Sequence, residues 1–309
     1  TVFQGSYQFD QHEYIKTAVK AKTRIGGSGS KLESSIQEVL QKCNAHDGMT
    51  ISFHHHFREG DLVVMQVMNV IHELGYKDIT ICASSLSKAQ DDLVPMIEDG
   101  TVTHIETSGV RGKIGEAISE GKLKGIAILR SHGGRVRAIE TGETKIDIAF
   151  IGAPSCDEYG NCRGVGGNSN CGVLSYAAID AEYAENVVVL TDCIVPFPNF
   201  PADISMTNVD YVIKVDAIGD ADKIATGAAR PVTDMRKLMM AQSCADFIAC
   251  TPAFQDGFSF QTGIGGASIA TAQCLAQKMR EKNIHMSFGA GGMSKPMCDL
   301  LEEGLVDCL

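Results

Sequence analysis

The strongest constraint on the fold is a regular alternation of short apolar strands with helices, which starts at Lys31. Runs of apolar and β-branched residues between turn residues predict the strands. They are predicted over 49–53, 79–82, 102–105, 126–129, 146–151, 187–190 and 211–215. Helical spacing lies between them, as in 62–74, which Gly75 closes. Strands that alternate with helices require right-handed crossovers, so the sequence predicts an α/β fold with an open, mainly parallel sheet.

The second half of the chain begins in the same way as the first. The predicted order there is a helix (234–249), a strand (258–260), a glycine bend, a helix to about residue 279, a strand (286–288) and a helix through Met297 and Leu300. The segment Glu302-Glu-Gly-Leu-Val306 resembles Glu98-Asp-Gly-Thr-Val102, which lies about 200 residues earlier. We therefore predict an internal duplication of two similar halves. The predicted domains are an N-terminal arm and linker (1–30), a first α/β domain (31–230) and the beginning of a second, truncated one (231–309).

Charge and composition argue against several classes of protein. The net charge of −11 disfavours a general nucleic-acid or anionic-membrane surface. No apolar run approaches the roughly 18 residues of a membrane span, and we expect no signal peptide. The 11 cysteines are scattered without a compact framework, which is typical of reduced thiols. These features predict a soluble, cytoplasmic protein.

A glycine bend follows the first strand of the second half. Thr262, Gly263, Gly265 and Gly266 lie between a predicted strand and a predicted helix. Such a junction directs unpaired backbone N–H groups and the positive end of the helix dipole at one point, which suits a phosphate, a carboxylate or a developing oxyanion. A dinucleotide-binding fingerprint fits poorly, because Ser268 stands at the third glycine position. The alternative is an ordinary glycine-rich turn of a parallel sheet.

Three consecutive histidines occupy the equivalent place in the first half, followed by Arg58. If strand geometry continues, His54 and His56 share a face while His55 points away, so the three do not easily form one metal site. We favour a substrate-binding loop in which Arg58 acts as a carboxylate fork. The alternative is that these histidines only satisfy hydrogen bonds near the sheet edge.

Between Ser108 and Arg137 the chain is basic, although the whole chain is acidic. The basic residues are Arg111, Lys113, Lys122, Lys124, Arg130, Arg135 and Arg137, against Glu116 and Glu120. The bland interpretation is a solvated face. The segment from Arg130 to Arg137 follows a strand and joins arginines to His132 and a Gly-Gly turn, which favours a polycarboxylate or phosphate site. A basic patch also suits an acidic protein partner.

An apolar strand that starts at Asp147 leads to two carboxylates, Asp157 and Glu158. Ligands bind beyond the carboxyl ends of parallel strands, so either carboxylate is a candidate base or nucleophile. The alternative is a capped turn. Nearby cysteines at 156, 162 and 171 match no common zinc spacing and are expected to be free thiols.

Four segments together resemble the α-subunit family of citrate lyase, which is similar to family I CoA-transferases. They are Ile-Ser-Phe-His-His-His-Phe-Arg-Glu-Gly-Asp (51–61), Arg-Ser-His-Gly-Gly-Arg (130–135), Asp-Glu-Tyr-Gly-Asn (157–161) and Phe-Gln-Thr-Gly-Ile-Gly-Gly-Ala-Ser (260–268). The resemblance covers 31–309. It implies two similar CoA-transferase halves, in agreement with the internal repeat.

The resemblance implies that a glutamate attacks the acetyl thioester of an acyl carrier protein, giving a mixed anhydride and a thiolate, after which exchange yields the citryl thioester and acetate. The candidate substrate-binding residues are His54, His56, Arg58, Arg130, His132, Arg135 and Arg137. The candidate oxyanion hole is Thr262, Gly263, Gly265 and Gly266. The nucleophile is expected beyond residue 309, so Glu158 is not assigned to that role. The chain alone is expected to be inactive.

The implied partners are the citrate lyase β subunit and the γ acyl carrier protein, with citrate and acetate as small molecules, in an oligomer. No directly bound cofactor is expected beyond the acyl thioester of a phosphopantetheine-type group or CoA. Three alternatives stay open. They are a noncatalytic carrier-protein docking module using residues 111–137, a metal-dependent hydrolase built on the three histidines, and a CoA-transferase for another carboxylic acid.

Overall fold

Two compact units make up the chain, and the first ends at Ile224. The computed structural model describes residues 29–224, 232–263, 265–291 and 295–309. The predicted arm and linker therefore lie outside the described residues, apart from Gly29 and Ser30. The predicted domain boundary after residue 230 lies outside them as well. Each unit combines helices with parallel strands, which confirms the predicted α/β class.

The strands of the first unit form one large sheet and one small sheet. In chain order they are β1 (Leu32–Glu33), β2 (Thr50–Phe53), β3 (Ile79–Ala83), β4 (Val102–Thr107), β5 (Ala127–Leu129), β6 (Ile148–Gly152), β7 (Ser155–Asp157), β8 (Cys162–Arg163), β9 (Asn186–Thr191), β10 (Ile194–Val195) and β11 (Tyr211–Lys214). The large sheet has eight strands in the order β1-β11-β9-β6-β2-β3-β4-β5, and every neighbouring pair is parallel. The small sheet has the order β10-β7-β8.

Helices cover both faces of the large sheet. They are α1 (Ile36–Lys42), α2 (Val63–Glu73), α3 (Val94–Glu98), α4 (Gly112–Ser119), α5 (His132–Glu140), α6 (Ala177–Tyr183) and α7 (Ala221–Ile224), with 3₁₀ turns at Arg58–Gly60, Lys88–Leu93 and Met206–Asn208. Successive strand residues point to opposite faces. Ile51 and Phe53 therefore pack with α1 to α4, whereas Ala149 and Ile151 pack with α5 and α6.

The order of the strands reverses at β2. From β2 the chain builds outward through β3, β4 and β5, and it then returns to place β6, β9 and β11 on the other side of β2. The connections that follow β2 and β6 leave in opposite directions, so we expect a crevice beyond the carboxyl ends of these two strands. Ligands of open α/β sheets bind at such a switch point.

The second unit contains the elements that the sequence predicts there. They are α8 (Met235–Ala249), β12 (Phe258–Thr262), α9 (Gly266–Lys282), β13 (Met286–Gly291) and α10 (Lys295–Glu302). Strands β12 and β13 pair in parallel. In the part of the chain that the structure describes, no helix has both the length and the apolar character needed to cross a membrane.

The two units repeat the same backbone contacts. The Gly48 N–H donates to the Lys77 carbonyl at 3.2 Å, and the Gly257 N–H donates to the His285 carbonyl at 2.9 Å. Both glycines have a positive φ, near 80°. Each therefore makes the same turn into the same strand, a backbone conformation that glycine adopts without strain.

The strand that follows is also repeated. Ile79 pairs in parallel with Val102, and Met286 pairs in parallel with Val306, the residue that the sequence repeat aligns with Val102. These pairings agree with the predicted pair of similar halves. That the second half is incomplete stays a prediction.

The predicted Gly-Gly turn at 133–134 was wrong, because both glycines lie in the first turn of α5. Ser131 caps this helix, and its hydroxyl accepts the Gly134 N–H at 3.0 Å. Burial of Ala138 and Ile139 on the sheet stabilises the helix further. The cap and the buried face outweigh the low helix propensity of glycine.

Candidate functional site

The crevice at the switch point collects side chains that are far apart in the sequence. The carboxyl ends of β2, β3 and β6 meet the N-terminal ends of α5 and α6 there. The strand β2 ends at Phe53, so the three histidines leave the sheet directly into this space. The apolar strand fixes their starting point, and the contacts below decide where each ring goes.

His54 lies behind the site surface in a buried ion-pair network. Its Nε2 donates to Asp180 Oδ2 at 2.9 Å. The guanidinium of Arg135 grips the same carboxylate with two hydrogen bonds, at 2.8 Å and 2.7 Å. All three side chains are buried. The ends of β2, α5 and α6 are thus connected through one carboxylate, a bidentate geometry that favours a defined arrangement.

The electrostatics of this network follow from its geometry. Burial alone would raise the pKa of the Asp180 carboxyl, but the charges of Arg135 and His54 hold that pKa well below its usual range. Among the described residues, His54 Nδ1 and Arg135 Nε are buried without a hydrogen-bond partner. The predicted contact of His54 and Arg135 with a carboxylate substrate stays a prediction, since both already engage Asp180.

His55 is half-exposed beyond the end of β2, whereas His54 is buried. Its backbone N–H and its Nδ1 both contact Ser84 Oγ, at 3.0 Å and 2.6 Å. Its ring stacks on His132 at 5.6 Å and on Tyr176 at 5.9 Å between centroids. The half-exposed rings of His55 and Tyr176 and the exposed His132 therefore form one aromatic cluster at the mouth of the crevice.

His56 turns back toward the protein and satisfies a strand end. Its Nε2 donates to the Gly152 carbonyl at 2.9 Å, and its ring packs edge-on against Phe57 at 4.5 Å. Burial, followed by the neighbouring His54, lowers the pKa of His56 to about 3. A Cβ at Gly152 would collide with the Phe57 ring, so this close contact requires glycine.

Beneath the loop lies a buried carboxylate, Asp61. It accepts the N–H groups of Val63 at 3.1 Å and Val64 at 3.4 Å, and these two contacts cap α2. It also accepts a hydrogen bond from the Gln90 side-chain amide at 2.8 Å. Burial raises the pKa of Asp61 to about 6. Arg58 is half-exposed on the same loop, with a positive φ of 53°. Its role as a carboxylate fork stays a prediction.

The basic stretch is largely paired with acidic residues of the same unit. Arg130 contacts Glu143 at 2.9 Å and Glu106 at 3.5 Å. Arg137 lies 3.7 Å from Glu143, and Lys122 pairs with Glu98 at 3.0 Å. Several of the basic side chains between residues 108 and 137 are therefore already paired with carboxylates. Contact of Arg130 and Arg137 with substrate stays a prediction.

Of the two carboxylates that follow β6, Asp157 has a structural role. Asp157 is buried and accepts the N–H groups of Tyr159 and Asn161 at 3.0 Å and of Asn199 at 2.9 Å. The capped-turn interpretation therefore describes Asp157. The backbone carbonyl of Glu158 accepts from Lys31 N at 2.8 Å.

In the second unit, the bend after β12 is open. Thr262 is buried at the strand end, whereas Gly263 and Gly265 are exposed. A Cβ built at Gly265 would meet no described atom within 4 Å. Gly265 is the N-cap of α9 with a φ of −71°, so the open space, not backbone strain, distinguishes this glycine. The oxyanion-hole role of Thr262, Gly263, Gly265 and Gly266 stays a prediction.

A cleft of about 410 Å³ lies elsewhere on the first unit, over the sheet between β2 and β5. His104, Glu106, Thr144 and Lys145 are among the side chains that line it. It contains none of the predicted site residues. The strand switch and the concentration of imidazoles, not cavity size, therefore mark the candidate site.

Metal and thiol chemistry find little support in the described part of the chain. No group of three His, Cys, Asp or Glu side chains there could hold a metal ion. The three histidines instead contact three different partners: a carboxylate, a hydroxyl and a carbonyl. All eleven cysteines are free thiols, as expected.

Three residues of the site were not found by sequence reasoning: Ser84, Tyr176 and Asp180. Ser84 follows the end of β3, as the histidines follow β2, and this position beyond a strand end was the available signal. Asp180 lies in the short helix Ala177–Tyr183, which also contains Glu182, and only the structure shows that Asp180 is the buried one of the two. Nothing in the sequence says that Asp180 meets Arg135.

The fold and the site at the strand switch define the class of protein first. A malonate decarboxylase hetero-tetramer from Pseudomonas has the same fold with a TM-score of 0.67 at 15% identity, covering 91% of this chain and 52% of that one. An acyl-CoA transferase from Escherichia coli O157:H7 has a TM-score of 0.57 at 14% identity, covering 85% and 61%. The chain therefore has a CoA-transferase-like α/β fold.

Closer similarities define the family. The family model described as "Citrate lyase, alpha subunit (CitF)" matches residues 29–309. The citrate lyase alpha chain of Escherichia coli K12 is 48% identical over 276 residues, covering 89% of this chain and 54% of the relative. That of Haemophilus influenzae is 46% identical over 300 residues, covering 97% and 60%. The chain belongs to the citrate lyase alpha subunit family.

A solved structure supports the same family. The crystal structure of a Streptococcus mutans protein, described as the alpha subunit of citrate lyase in complex with citrate, is 50% identical with a TM-score of 0.88. It covers 91% of this chain and 55% of that chain. This chain spans between 54% and 60% of the length of the curated relatives.

Proposed function

We propose that this chain forms the citrate-binding part of an acyl transferase in citrate lyase, which exchanges acetyl for citryl on the thioester of a carrier protein. The observation that carries the proposal is the cluster of imidazoles that the histidine segment and α5 bring together at the strand switch. The Streptococcus mutans relative that was solved with citrate supports the choice of substrate.

The chemistry of the crevice suits a polycarboxylate. The rings of His55 and His132 lie at its mouth, and Arg58 is half-exposed nearby in the chain. The first two amides of α5, those of His132 and Gly133, have no partner within the helix because they belong to its first turn. The positive end of the helix dipole adds to this preference for anions. Asp180 neutralises Arg135 behind the surface and keeps its own negative charge away from the ligand.

The transfer itself requires a carboxylate nucleophile and donors for each tetrahedral intermediate. Attack of that carboxylate on the acetyl thioester breaks the C–S bond and forms a mixed anhydride and a thiolate. The thiolate attacks the enzyme carbonyl of this anhydride and expels acetate, which leaves an enzyme thioester. A carboxylate of citrate attacks that thioester and releases the thiolate, giving a second anhydride. Attack of the thiolate on the citryl carbonyl then gives the citryl thioester and restores the carboxylate. We assign the oxyanion donors to the backbone at 262–266, and we assign the nucleophile to no residue of this chain.

The proposed setting is an oligomeric citrate lyase complex in the cytoplasm, with the β subunit and the acyl carrier protein as partners. The reactive group is the thioester of a phosphopantetheine-type arm or of CoA, with no other cofactor. All eleven cysteines are free thiols, which is typical of a reducing compartment. The docking-module alternative is less favoured, because Lys122, Arg130 and Arg135 are already engaged within the chain.

Isothermal titration of the purified chain with citrate tests this function. We expect citrate to bind more tightly than succinate or acetate, and the substitution Arg58→Ala to weaken binding about tenfold through loss of a charged hydrogen bond. The matched control is Lys223→Ala, which removes an exposed cation paired with Asp220. Equal binding of citrate and succinate, or equal loss in both variants, would contradict the proposal.

A further inference from the structure

His55 keeps one ring nitrogen that no other part of the site uses. Its Nδ1 is held by Ser84, whereas its Nε2 has no hydrogen-bond partner among the described residues and is not buried. The ring is only half-exposed, so this nitrogen is presented at one edge of a packed surface. The predicted substrate-binding residues included His54 and His56 and left out His55.

The contact with Ser84 decides which nitrogen of His55 carries the proton. Ser84 is fully buried, and its Oγ accepts the backbone N–H of His55 at 3.0 Å. Within the described residues, the only further partner of this hydroxyl is His55 Nδ1, at 2.6 Å. A buried hydroxyl proton without an acceptor is costly, so the hydroxyl donates to Nδ1. The neutral ring then carries its proton on Nε2, as a donor.

The surroundings of His55 keep the ring neutral. Burial, followed by the charges of His132, His54, Arg58 and Arg135, lowers the pKa of His55 to about 4. The other ionisable side chain at its ring is the Tyr176 phenol. A histidine with a lowered pKa donates a hydrogen bond without readily releasing or gaining a proton, as in the neutral histidine of another enzyme, triosephosphate isomerase.

The ring is also fixed in direction. His132 lies on it nearly parallel, with an angle of 9° between the planes, and Tyr176 packs on both rings at 5.9 Å and 4.8 Å. The two contacts of Ser84 hold the backbone and the ring together. A donor held by packing and by a second hydrogen bond loses little entropy when a ligand arrives.

We propose that His55, held by Ser84 as the Nε2–H tautomer, donates a neutral hydrogen bond to a carboxylate oxygen of the bound acid, with His132 and Tyr176 as its walls. This assignment rests on the proposed function, and it adds a ligand-contacting residue and a positioning residue. Because the donor is uncharged, its contribution to affinity does not depend on protonation of the imidazole. Ser84 acts through His55 and touches no substrate.

The tautomer is tested first, without ligand. Long-range ¹H–¹⁵N correlation spectra of the chain labelled at histidine nitrogens, assigned with His55→Phe, should show a neutral His55 with its proton on Nε2 at pH 7. In Ser84→Ala the two tautomers should exchange, and Ser84→Thr, which keeps the hydroxyl, should restore the wild-type pattern. A protonated His55, or a proton on Nδ1, overturns the proposal.

Citrate affinity is tested next by calorimetry between pH 5.5 and pH 8. His55→Phe keeps a stacking ring without the donor and should weaken binding about tenfold, the size expected for one hydrogen bond to a charged acceptor. His55→Gln places an amide N–H near the position of Nε2 and should recover part of the loss. The ratio of the citrate affinity of wild type to that of His55→Phe should stay constant across this pH range. The control His46→Phe replaces an exposed histidine that contacts the Asp47 carbonyl and should leave affinity unchanged.

The outcomes separate the two proposals. If wild-type chain does not bind citrate, the proposed function fails and this assignment fails with it. If wild type binds citrate and His55→Phe binds it equally well, only the His55 assignment is overturned. If the ratio of the wild-type affinity to the His55→Phe affinity falls tenfold as the pH rises through 6.5, an imidazolium makes the contact. The assignment of a neutral donor is then wrong.

Discussion

The carboxyl ends of β2 and β12 occupy the same place in two copies of one structural unit, yet they present different chemistry. The frames agree in detail, since Lys77 N–H donates to Asp47 and His285 N–H donates to Asp256, both at 2.8 Å. After β2 the chain presents imidazoles held by other side chains. After β12 it presents an exposed glycine bend.

This difference teaches that the same frame can present hydrogen-bond donors in two ways, from side chains or from the backbone. Side-chain donors need a second layer that fixes them, and in the first unit Asp180 and Ser84 supply it. Backbone donors are fixed by the helix that they begin, so the bend at α9 needs no such layer. Mutations should therefore have strong structural effects behind β2 and mainly functional effects at the bend.

The largest expected effect is the loss of the buried anion behind β2. Asp180→Asn keeps the size of the side chain but leaves Arg135 buried without its counter-charge, which costs about 3–5 kcal/mol for a broken buried pair. Urea unfolding followed by circular dichroism measures the change. The control Asp246→Asn removes an exposed carboxylate of the second unit that pairs with Lys278, and it should change the unfolding midpoint little. Equal effects of the two substitutions would erase the proposed contrast.

At the bend we expect the opposite balance. Gly265→Ala adds a methyl group where no described atom lies within 4 Å and φ is −71°, so the fold should tolerate it. The methyl group fills the space that a ligand would use, and we expect acyl transfer to fall about a hundredfold, as for a lost oxyanion donor. The equivalent substitution is made in a full-length relative. The initial rate of acyl transfer and the thermal unfolding midpoint of this variant are each compared with those of the unchanged relative. Unchanged rates of acyl transfer would contradict the proposed role of the bend as an oxyanion donor.

A smaller effect concerns acid. The folded-state pKa values of His55 and His56, about 4 and 3, lie below the unfolded value of about 6.5. The unfolded chain thus binds more protons between pH 4 and 6.5, and these histidines make stability rise with pH there, by at most about 1.4 kcal/mol per pH unit each. Asp61, with its pKa raised to about 6, opposes this trend between about pH 4 and 6.

The variant His56→Gln isolates one histidine from that balance. Its unfolding free energy should rise less steeply between pH 4 and 6.5 than that of wild type. Hydrogen exchange should locate the difference in β2, β3 and β6, and leave β12 and β13 unchanged. A difference of equal size in both units would show that the effect does not come from this loop.

The smallest effect compares two helix caps. Ser131 caps α5 through its hydroxyl, whereas Gly265 begins α9 without a side-chain cap. Ser131→Ala should therefore cost about 1 kcal/mol, and Gly265→Ser should gain only a few tenths of a kcal/mol. Thermal unfolding of both variants measures this. A larger stabilisation by Gly265→Ser than by other surface substitutions would mean that the first amides of α9 lack hydrogen-bond acceptors in the ligand-free chain.

Local patterns predicted most of the secondary structure. The periodicity of 62–74 corresponds to α2, and the β-branched run at 187–190 corresponds to β9. The prediction at 133–134 was wrong because the sequence was judged by its glycines, whereas the Ser131 cap and the buried Ile139 decided the outcome. Local signals fail where a cap and tertiary burial act on the same few residues.

The site was predicted in its parts and missed in its connections. The histidine loop and Arg135 were found because charged groups beyond apolar strands are a local signal. Their chemistry was not, because charge counts along the chain do not show which cations are already paired, as Arg130 is with Glu143.

By itself, the sequence determined the alternation of strands and helices, the duplicated unit and the histidine and glycine segments, because each depends on residues close together in the chain. Only the tertiary structure decided that Asp180 joins Arg135, 45 residues away, to His54, 126 residues away. It also decided that Ser84 holds the ring of His55. Long-range pairing of this kind depends on the order of strands in the sheet and on burial, and neither is encoded in local spacing.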